Sequence, residues 1–176
     1  MNVHLNDLIF NLNSLKAGRK ILFSGTIYTA RDAAHKRIIN LLDSGNKDKI
    51  PFNLTNSAIY YCGPTPTKPG NIVGACGPTT SSRMDVFTPR LLKEGIKVLI
   101  GKGDRSKEVE NSIKKNNAIY FIVTGGVAAL ISKSVIKADL IAFEDLGPEA
   151  IYRFEVKDMP LIVAIDNLGN NIFVRG

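Results

Sequence analysis

The feature that most constrains the fold of this chain is the regular alternation of short apolar segments and helical segments in its second half. The sequence predicts strands over 96–100, 118–123 and 139–143, each a run of mainly apolar residues. Helices are predicted between them, one capped by Ser106 and one over 127–136. Strands that alternate with helices at this spacing form a parallel sheet with right-handed crossovers. The pattern therefore predicts an α/β fold.

The first half of the chain predicts the same kind of unit. Residues 20–28 are predicted as a strand, and an apolar stripe then predicts a helix over about 30–43. Thr29 and Asp32 resemble a capping box at the start of this helix, and Gly45 is a natural stop at its end.

A segment rich in helix breakers separates the two halves. Residues 51–80 contain five prolines and four glycines, so at most 58–61 is a strand. A helix over 83–94 that ends at Gly95 is predicted next. Long loops inside a compact domain are often functional, and this loop is the first place to look for chemistry.

The C-terminal segment alternates with a period of two and predicts antiparallel strands. Residues 161–165 and 171–174 flank a turn at 167–170, which indicates a hairpin. With 44% hydrophobic residues, a chain of 176 residues can bury a sizeable core. We therefore predict one domain over 1–176, a three-layer α/β domain with a mixed sheet arrangement.

The charge pattern restricts the binding partners. Lys and Arg number 23 against 16 Asp and Glu, a formal net charge of +7. The basic residues are scattered among acidic ones, as on a solvated helix face, and none of the blocks typical of nucleic-acid binding is present. We therefore expect that the chain does not bind nucleic acid. The binding partners that remain are an acidic small substrate or an acidic protein.

Targeting and metal-binding signals are weak in this sequence. No window approaches a membrane span and the start has no cationic lead, so we expect a cytoplasmic protein with no membrane contact. Cys62 and Cys76 lie 14 positions apart, and His4 and His35 add no metal-ligand spacing. A four-iron cluster needs three or four thiolates. We therefore predict two reduced, partly buried thiols and no metal site in this chain.

Loops that follow predicted strands carry cations or hydroxyls, and ligands gather at such loops in open α/β sheets. Four hydroxyl residues at 79–82 precede Arg83. They either form an anion site together with the arginine, or cap a helix with more hydroxyls than a cap needs, beside a surface arginine. The loop at 101–106 matches only part of a dinucleotide fingerprint, because Ser106 replaces the third glycine. Its Lys102 either contacts a carboxylate or phosphate, or belongs to an ordinary solvated loop.

Two further positions also allow either a ligand-binding or a purely structural interpretation. Thr124-Gly125-Gly126 precedes a predicted helix, where the glycines either hold an anion or only let the helix pack closely on the strand. Arg31 lies in the first turn of the helix over 30–43, against the helix dipole, which hints at a ligand.

The segment 77–85, Gly-Pro-Thr-Thr-Ser-Ser-Arg-Met-Asp, closely resembles the GPTT-x-x-RMD signature of the class I, iron–sulfur fumarases and the related tartrate dehydratases. The resemblance extends over nearly the whole chain, with further motifs in the same order at 30–35, 102–106, 125–129, 146–151, 154–156 and 166–170. The part resembled is the C-terminal domain of the single-chain enzymes, equivalent to the β subunit of the two-chain ones. This resemblance implies the swivelling β/β/α fold.

The resemblance also implies a function and its partners. It implies the β subunit of a hydro-lyase that hydrates fumarate reversibly to malate, with an L-tartrate dehydratase β subunit or a non-catalytic anion-binding module as alternatives. The 4Fe-4S cluster of such an enzyme is bound by the partner α subunit and not by the chain resembled here. A homo-oligomer or an αβ multimer is expected.

Four residues match the functional positions of the family. Thr79 looks like the proposed catalytic base, and Arg83 looks like the substrate arginine of the same motif. Arg31 and Lys102 match two further substrate-binding cations. This chain has Asp104 where the family often has Asn.

Overall fold

The computed structural model describes residues 1–123 and 128–173, which form a mixed α/β structure. The strands of this part of the chain are β1 (Asn2–His4), β2 (Lys20–Thr29), β3 (Ala58–Tyr60), β4 (Val98–Gly101), β5 (Ile119–Ile122), β6 (Val135–Ala142) and β7 (Ile151–Ile165). Its α-helices are α1 (Leu5–Phe10), α2 (Asp32–Asp43), α3 (Thr88–Lys93), α4 (Lys107–Lys115) and α5 (Ala128–Ser134). Short 3-10 helices cover Leu12–Ser14, Lys47–Lys49, Ser81–Met84 and Glu144–Glu149.

The strands form one sheet that closes on itself. Their order is β1-β2-β3-β4-β5-β7-β6, and β1 to β5 run parallel to one another. Strand β7 is antiparallel to β5 and β6, and it also pairs with β2 from Lys20 to Tyr28. The strands β2, β3, β4, β5 and β7 therefore make a closed ring of hydrogen-bonded neighbours, to which β1 and β6 add at the outside.

Strands β3, β4 and β5 are buried on both faces, which explains why their sequences are continuously apolar. Side chains of one face, such as Tyr60 and Phe121, pack in a core with residues of β2 and β7. Side chains of the other face, such as Ile59 and Leu99, pack in a second core against α2 and α4. The helices α2, α3 and α4 thus cover one side of the parallel strands, and β2 and β7, together with α1 and α5, belong to the core on the other side.

The parallel order predicted for β4 and β5 is confirmed, but the prediction of a third parallel strand after α5 is wrong. Strand β6 begins at Val135, directly after α5, and pairs antiparallel with β7. No loop separates the helix from the strand, so the chain cannot return across the sheet as a parallel crossover requires. The last predicted residue of this strand, Phe143, instead has a left-handed backbone with φ of 58°.

The single helix predicted over 83–94 is also wrong. Residues Ser81–Met84 form a 3-10 helix, and the α-helix starts only at Thr88, with Pro89 in its first turn. A proline there has no N–H to donate to the preceding turn, and its ring clashes with the carbonyl four residues earlier. The proline therefore separates the two short helices, whereas the predicted end at Gly95 is confirmed by its φ of +112° after the C-cap.

The capping box predicted from Thr29 and Asp32 is not formed. Arg31 takes the N-cap position of α2, and the Thr29 hydroxyl instead accepts the backbone N–H of Tyr152 in β7 over 3.0 Å. The predicted cap at Ser106 is confirmed, because its hydroxyl accepts the N–H of Val109. The Thr29 hydroxyl is therefore bonded to the neighbouring strand and does not cap α2.

The C-terminal hairpin is present only in a reduced form. Strand β7 runs without interruption from Ile151 to Ile165, and within the described residues up to 173 the return segment makes a single bridge, between Ile165 and Asn171. The turn between them is organised by Asp166, whose carboxylate accepts the N–H groups of Leu168 and Asn170. Val174, the last residue of the predicted second strand, lies outside the described residues. None of the helices described is long and apolar enough to cross a membrane.

Candidate functional site

The loops that carry the predicted site residues leave the same edge of the sheet. Strand β2 is followed by Ala30, whose N–H donates to the carbonyl of Tyr60 over 3.0 Å. Tyr61, which follows β3, donates to the carbonyl of Ile100 in β4 over 2.9 Å. Because these strands are parallel neighbours, their carboxyl ends bring the segments that carry Arg31, Thr79 and Lys102 together.

The segment that contains Thr79 continues the sheet beyond β3. Pro78 pairs with Cys62, and the N–H of Thr79 donates to the carbonyl of Tyr61 over 2.7 Å. Thr80 then pairs with Lys102 in a parallel bridge. The half-buried Thr79 is therefore fixed by its backbone between the end of β3 and the loop after β4.

Ser81 joins the signature segment to the Lys102 loop. Its hydroxyl accepts the N–H of Lys102 over 2.9 Å, and its own N–H donates to the carbonyl of Lys102 over 3.1 Å. The Tyr120 hydroxyl lies 2.9 Å from the same Oγ. Of the two alternatives for the hydroxyl run, the helix cap is not formed, because the Thr80 side chain makes no capping hydrogen bond and the Ser81 hydroxyl bonds to the neighbouring loop.

Gly101 permits this close approach. A Cβ at this position would lie 2.0 Å from Oγ of Ser81 and 2.8 Å from the ring of Tyr61. Any side chain on residue 101 would therefore push the signature segment away from the Lys102 loop.

Arg31 and Arg83 come together around Asp32. Nε of Arg83 donates to Oδ1 of Asp32 over 2.9 Å, and Nη2 of Arg31 lies 3.9 Å from Oδ2 of the same carboxylate. Arg31 also pairs with Glu149 over 3.3 Å. Both predicted substrate arginines thus belong to one cluster of charges at the N-terminus of α2.

Glu149 and Gly63 determine where the Arg31 side chain lies. Glu149 uses its other oxygen to accept the N–H of Ala33 over 2.8 Å, so it caps α2 from a different loop. A Cβ on Gly63 would lie 2.6 Å from the carbonyl oxygen of Pro148 and 3.0 Å from Cδ of Arg31. Arg31 is therefore confined between the end of β3 and the loop before β7.

The chain also contains a buried arginine that supports the site. The side chain of Arg105 is fully buried, and its Nε donates to Oδ1 of Asp85 over 2.7 Å. Its guanidinium lies over the rings of Tyr61 and Tyr120 and donates to Oγ1 of Thr88 over 2.7 Å. The last residue of the GPTT-x-x-RMD segment is thus fixed to the loop after β4.

Lys102 itself is exposed, and its loop is stabilised by neighbouring residues. Oδ1 of Asp104 accepts the N–H of Arg105 over 2.7 Å and the side-chain amide of Asn171 over 3.1 Å. Both bonds use one carboxylate oxygen, so an asparagine could make them equally well. The departure from the family pattern at Asp104 therefore leaves the loop geometry intact.

His35 contacts the backbone of Arg31 and is uncharged at neutral pH. Its Nδ1 lies 2.8 Å from the carbonyl oxygen of Arg31, and its ring packs against Tyr61 and Phe87. The pKa of His35 is lowered from 6.5 to about 4, mainly by complete burial; the nearby Arg105 also lowers it, and the hydrogen bond to Arg31 partly opposes the shift. A neutral His35 adds no charge to the site and fixes the backbone that carries Arg31.

Cys62 and Cys76 are free and buried in the core between β3 and β2. Burial raises the pKa of the Cys62 thiol well above its ordinary value, and contact with Cys76 adds to this effect. A protonated thiol is a poor metal ligand. Among the described residues, no group of three or more His, Cys, Asp and Glu is placed to hold a metal ion.

Sequence reasoning found the cations of this cluster but not the carboxylates that orient them. Asp32 was predicted as a helix cap, and Glu149 only as part of a motif. Both residues lie inside segments that resemble family motifs, and this resemblance was the signal that could have identified them as site residues. The predicted Thr124-Gly125-Gly126 turn lies outside the described residues.

The arrangement is suited to an anion with more than one carboxylate. Arg31, Arg83 and Lys102 bring three positive charges to one edge of the sheet, and two of them already contact carboxylates of the protein. Arginine matches a carboxylate through its planar fork, and lysine matches it as a point charge.

Comparisons with known proteins agree with these motifs. The family model described as Fumarase C-terminus matches residues 1–176. A putative L(+)-tartrate dehydratase subunit beta of Methanocaldococcus jannaschii is 39% identical over 93% of this chain and 86% of the relative. Fumarate hydratase 2 of Leishmania major is 36% identical, and the aerobic class I fumarate hydratase of Escherichia coli K12 is 32% identical.

The two kinds of relative differ in length. The matched region covers 93% and 98% of this chain but only 29% of the Leishmania fumarate hydratase and 32% of the Escherichia coli one. The chain therefore spans about a third of the length of these relatives, whereas it spans most of the tartrate dehydratase subunits.

Proposed function

The chain belongs to the Fumarase C-terminus family, and from this premise we propose that it is the β-type subunit of a hydro-lyase that hydrates fumarate reversibly to malate. The single observation that carries the proposal is the convergence of Arg31, Arg83 and Lys102 beside Thr79 at one edge of the parallel strands. A four-carbon dicarboxylate has two carboxylates, and this edge offers three cations to receive them.

Arg31, Arg83 and Lys102 are proposed to bind the two carboxylates of the substrate. Removal of the proton from C3 of malate builds negative charge toward a carboxylate, and cations fixed in advance stabilise that charge. The two arginines are oriented by Asp32 and Glu149 before the substrate arrives, so little reorganisation is needed on binding.

Thr79 is the proposed base that removes the C3 proton. A threonine hydroxyl is a weak acid, so it must first lose its own proton to a stronger base, with nearby cations favouring the alkoxide. We propose that a carboxylate of the partner subunit takes that proton. The alternative is that Thr79 only orients the substrate.

The iron–sulfur cluster of the proposed enzyme is assigned to the partner subunit. The described residues of this chain do not fit such a cluster, because the two cysteines are buried in a core and no further ligands accompany them. When bound in the partner, the cluster supplies a Lewis acid for the substrate hydroxyl.

The partner proposal is supported by relative length. Tartrate dehydratase relatives of similar length carry the name subunit beta, and the fumarate hydratase relatives are about three times as long as the matched region. We propose that an α subunit, equivalent to the part of those fumarate hydratases that lies outside the matched region, completes the active site in an αβ multimer. The 176 residues are proposed to form one domain with the three-layer swivelling β/β/α arrangement, supported by the two cores on opposite faces of β3–β5.

L-Tartrate dehydration is the second candidate. It is favoured by the match to whole-length subunits, 86% of the Methanocaldococcus relative and 82% of the Escherichia coli tartrate dehydratase subunit beta. The same cations would hold tartrate, which is also a four-carbon dicarboxylate.

The test is anaerobic co-expression with the candidate α subunit, followed by assays on malate, fumarate and both tartrates. Turnover of malate and fumarate supports the first candidate, and turnover of L-tartrate alone supports the second. Binding of these diacids without turnover of any of them contradicts both and identifies a non-catalytic anion-binding module.

The cluster assignment has its own test. The double variant Cys62→Ala, Cys76→Ala should keep the cluster absorbance and the kcat of the assembled enzyme, because both thiols are core residues and not ligands. Loss of the cluster in a variant that is still folded would contradict the assignment.

A further inference from the structure

Asp32 lies between the two arginines of the cluster and is the carboxylate that contacts both. Oδ1 accepts the Nε–H of Arg83 over 2.9 Å, and Oδ2 lies 3.9 Å from Nη2 of Arg31. Two guanidinium groups repel each other at short range, and a carboxylate between them offsets that repulsion. Asp32 therefore allows Arg31 and Arg83 to stay side by side before any anion is bound.

The hydrogen bond from Nε also determines the orientation of Arg83. A guanidinium is a rigid planar fork, so a bond at Nε fixes the plane and the direction of the two Nη groups. The Arg83 side chain is 52% exposed, and without this bond it would sample many rotamers. With the bond in place, the Nη1–Nη2 end is left for a second carboxylate.

The cluster also contains polar atoms without hydrogen-bond partners. Nε of Arg31 and Oδ2 of Asp32 are both buried and make no hydrogen bond with the described residues. Leaving a buried polar group unsatisfied is energetically unfavourable. Nε of Arg31 is a donor that a carboxylate of a ligand can satisfy, whereas Oδ2 of Asp32 is an acceptor that an anion cannot satisfy.

We propose that Asp32 is a positioning residue that orients Arg83 for one carboxylate of a four-carbon dicarboxylate. The inference rests on the proposed function for the identity of the ligand. Asp32 acts through the arginine and not on the reacting atoms. Its loss should therefore weaken substrate binding more than it slows the chemical step.

The orientation is tested first by NMR on the full 176-residue chain, without partner or cluster. The Nε–H signal of Arg83, assigned by its loss in Arg83→Lys, should exchange slowly with water in the wild type. In Asp32→Ala this exchange should accelerate at least about tenfold, since a charged hydrogen bond is lost. In Asp32→Asn, which keeps a side-chain oxygen, it should stay slow. An unchanged exchange rate in Asp32→Ala would overturn the proposal.

A matched control is available elsewhere on the chain. Asp145 makes a comparable pair with Arg37 on an exposed surface, with distances of 2.8 and 2.7 Å. Asp145→Ala should leave the Arg83 signal unchanged. If Asp32→Ala does not fold, Asp32→Ser replaces it, because serine is well tolerated at the start of a helix.

Kinetics of the assembled enzyme separate positioning from other roles. Asp32→Ala should raise KM about tenfold or more with kcat within about threefold, and Asp32→Asn, which keeps an acceptor for Nε of Arg83 but loses the charge between the arginines, should raise KM less than Asp32→Ala does. An equal loss of kcat in both variants, or a wild-type KM in Asp32→Ala, would overturn the proposal. If the wild-type assembly turns over no four-carbon diacid, the proposed function fails, and the NMR exchange rate still decides the role of Asp32 toward Arg83.

Discussion

Ser81 and Lys102 hold each other by two reciprocal hydrogen bonds, one from the N–H of Lys102 to Oγ of Ser81 and one from the N–H of Ser81 to the carbonyl of Lys102. Ser81 belongs to the segment that contains Thr79 and Arg83, and Lys102 follows β4. The proposed base and the exposed lysine are thus placed by hydrogen bonds between two loops. This contact depends on the absence of a side chain at Gly101.

Gly101→Ala should destabilise the fold by about 1–3 kcal/mol, because the new Cβ would meet Oγ of Ser81. Ser81→Ala alone should cost about 1–3 kcal/mol by leaving the N–H of Lys102 without its acceptor. The double variant should be at least about 1 kcal/mol more stable than the sum of the single effects predicts, since removal of Oγ relieves the closest contact, while the contact with the ring of Tyr61 remains. Urea denaturation of the four proteins measures this coupling.

Gly103→Ala is the control for that cycle. Gly103 has a φ of +80° and open space around it, so alanine should cost about 1–2 kcal/mol through backbone strain alone. Ser81→Ala should not change this cost. Equal coupling of Ser81→Ala to both glycine variants would contradict the contact described above.

Thr79→Val should lower kcat of the assembled enzyme by roughly 10²–10⁴ with little change in KM, the usual contribution of a general base. Valine keeps the shape of threonine and removes its hydroxyl. Exchange of deuterium at C3 of malate separates a base from an orienting residue. A near-normal exchange rate in Thr79→Val would mean that the proton acceptor belongs to the other subunit. Ser82→Ala, at an exposed hydroxyl of the same segment, is the matched control.

Arg83→Lys should raise KM, because lysine keeps the charge and loses the planar fork that binds both Asp32 and a substrate carboxylate. A fall in kcat should accompany it where positioning loosens. Steady-state kinetics on malate and fumarate measure both constants. Arg90→Lys, which changes an arginine paired with Glu94 on α3, should leave both constants unchanged. A wild-type KM in Arg83→Lys would count against substrate binding by Arg83.

His35 should make the protein less stable in mild acid. Burial lowers the pKa of His35 from 6.5 to about 4. Between these values the unfolded chain binds a proton that the folded chain does not, so stability is full above pH 6.5 and falls as the pH drops toward 4. The loss between pH 7.5 and 5 should be about 2 kcal/mol.

The variant His35→Asn tests this prediction by urea denaturation at both pH values. It removes the titrating group, so about 2 kcal/mol of the pH dependence should disappear. His4→Asn, at an exposed histidine, should retain the dependence of the wild type. A pH dependence that is the same in His35→Asn and the wild type would contradict the assignment to His35.

The sequence by itself determined the local elements and the types of residue in the site. Strand β2, helix α2 and the stops at Gly45 and Gly95 followed from apolar periodicity and from residues that tolerate positive φ. These features depend on neighbours within a few positions, so a local pattern is sufficient to predict them. The motifs around Thr79 and Arg83 likewise identified the family.

The tertiary structure decided which strands pair and which side chains meet. The chain reverses after α5 so that β6 joins β7, and β7 also closes the ring with β2, although the local sequence of β6 does not distinguish parallel from antiparallel pairing. The local sequence predicts that Asp32 is a helix-capping residue. Asp32 lies between two arginines only because the fold brings Arg83, 51 positions later in the chain, next to it. Hydrogen bonds and ion pairs between distant segments depend on the packing of the whole domain, and that packing alone fixes the geometry of the site.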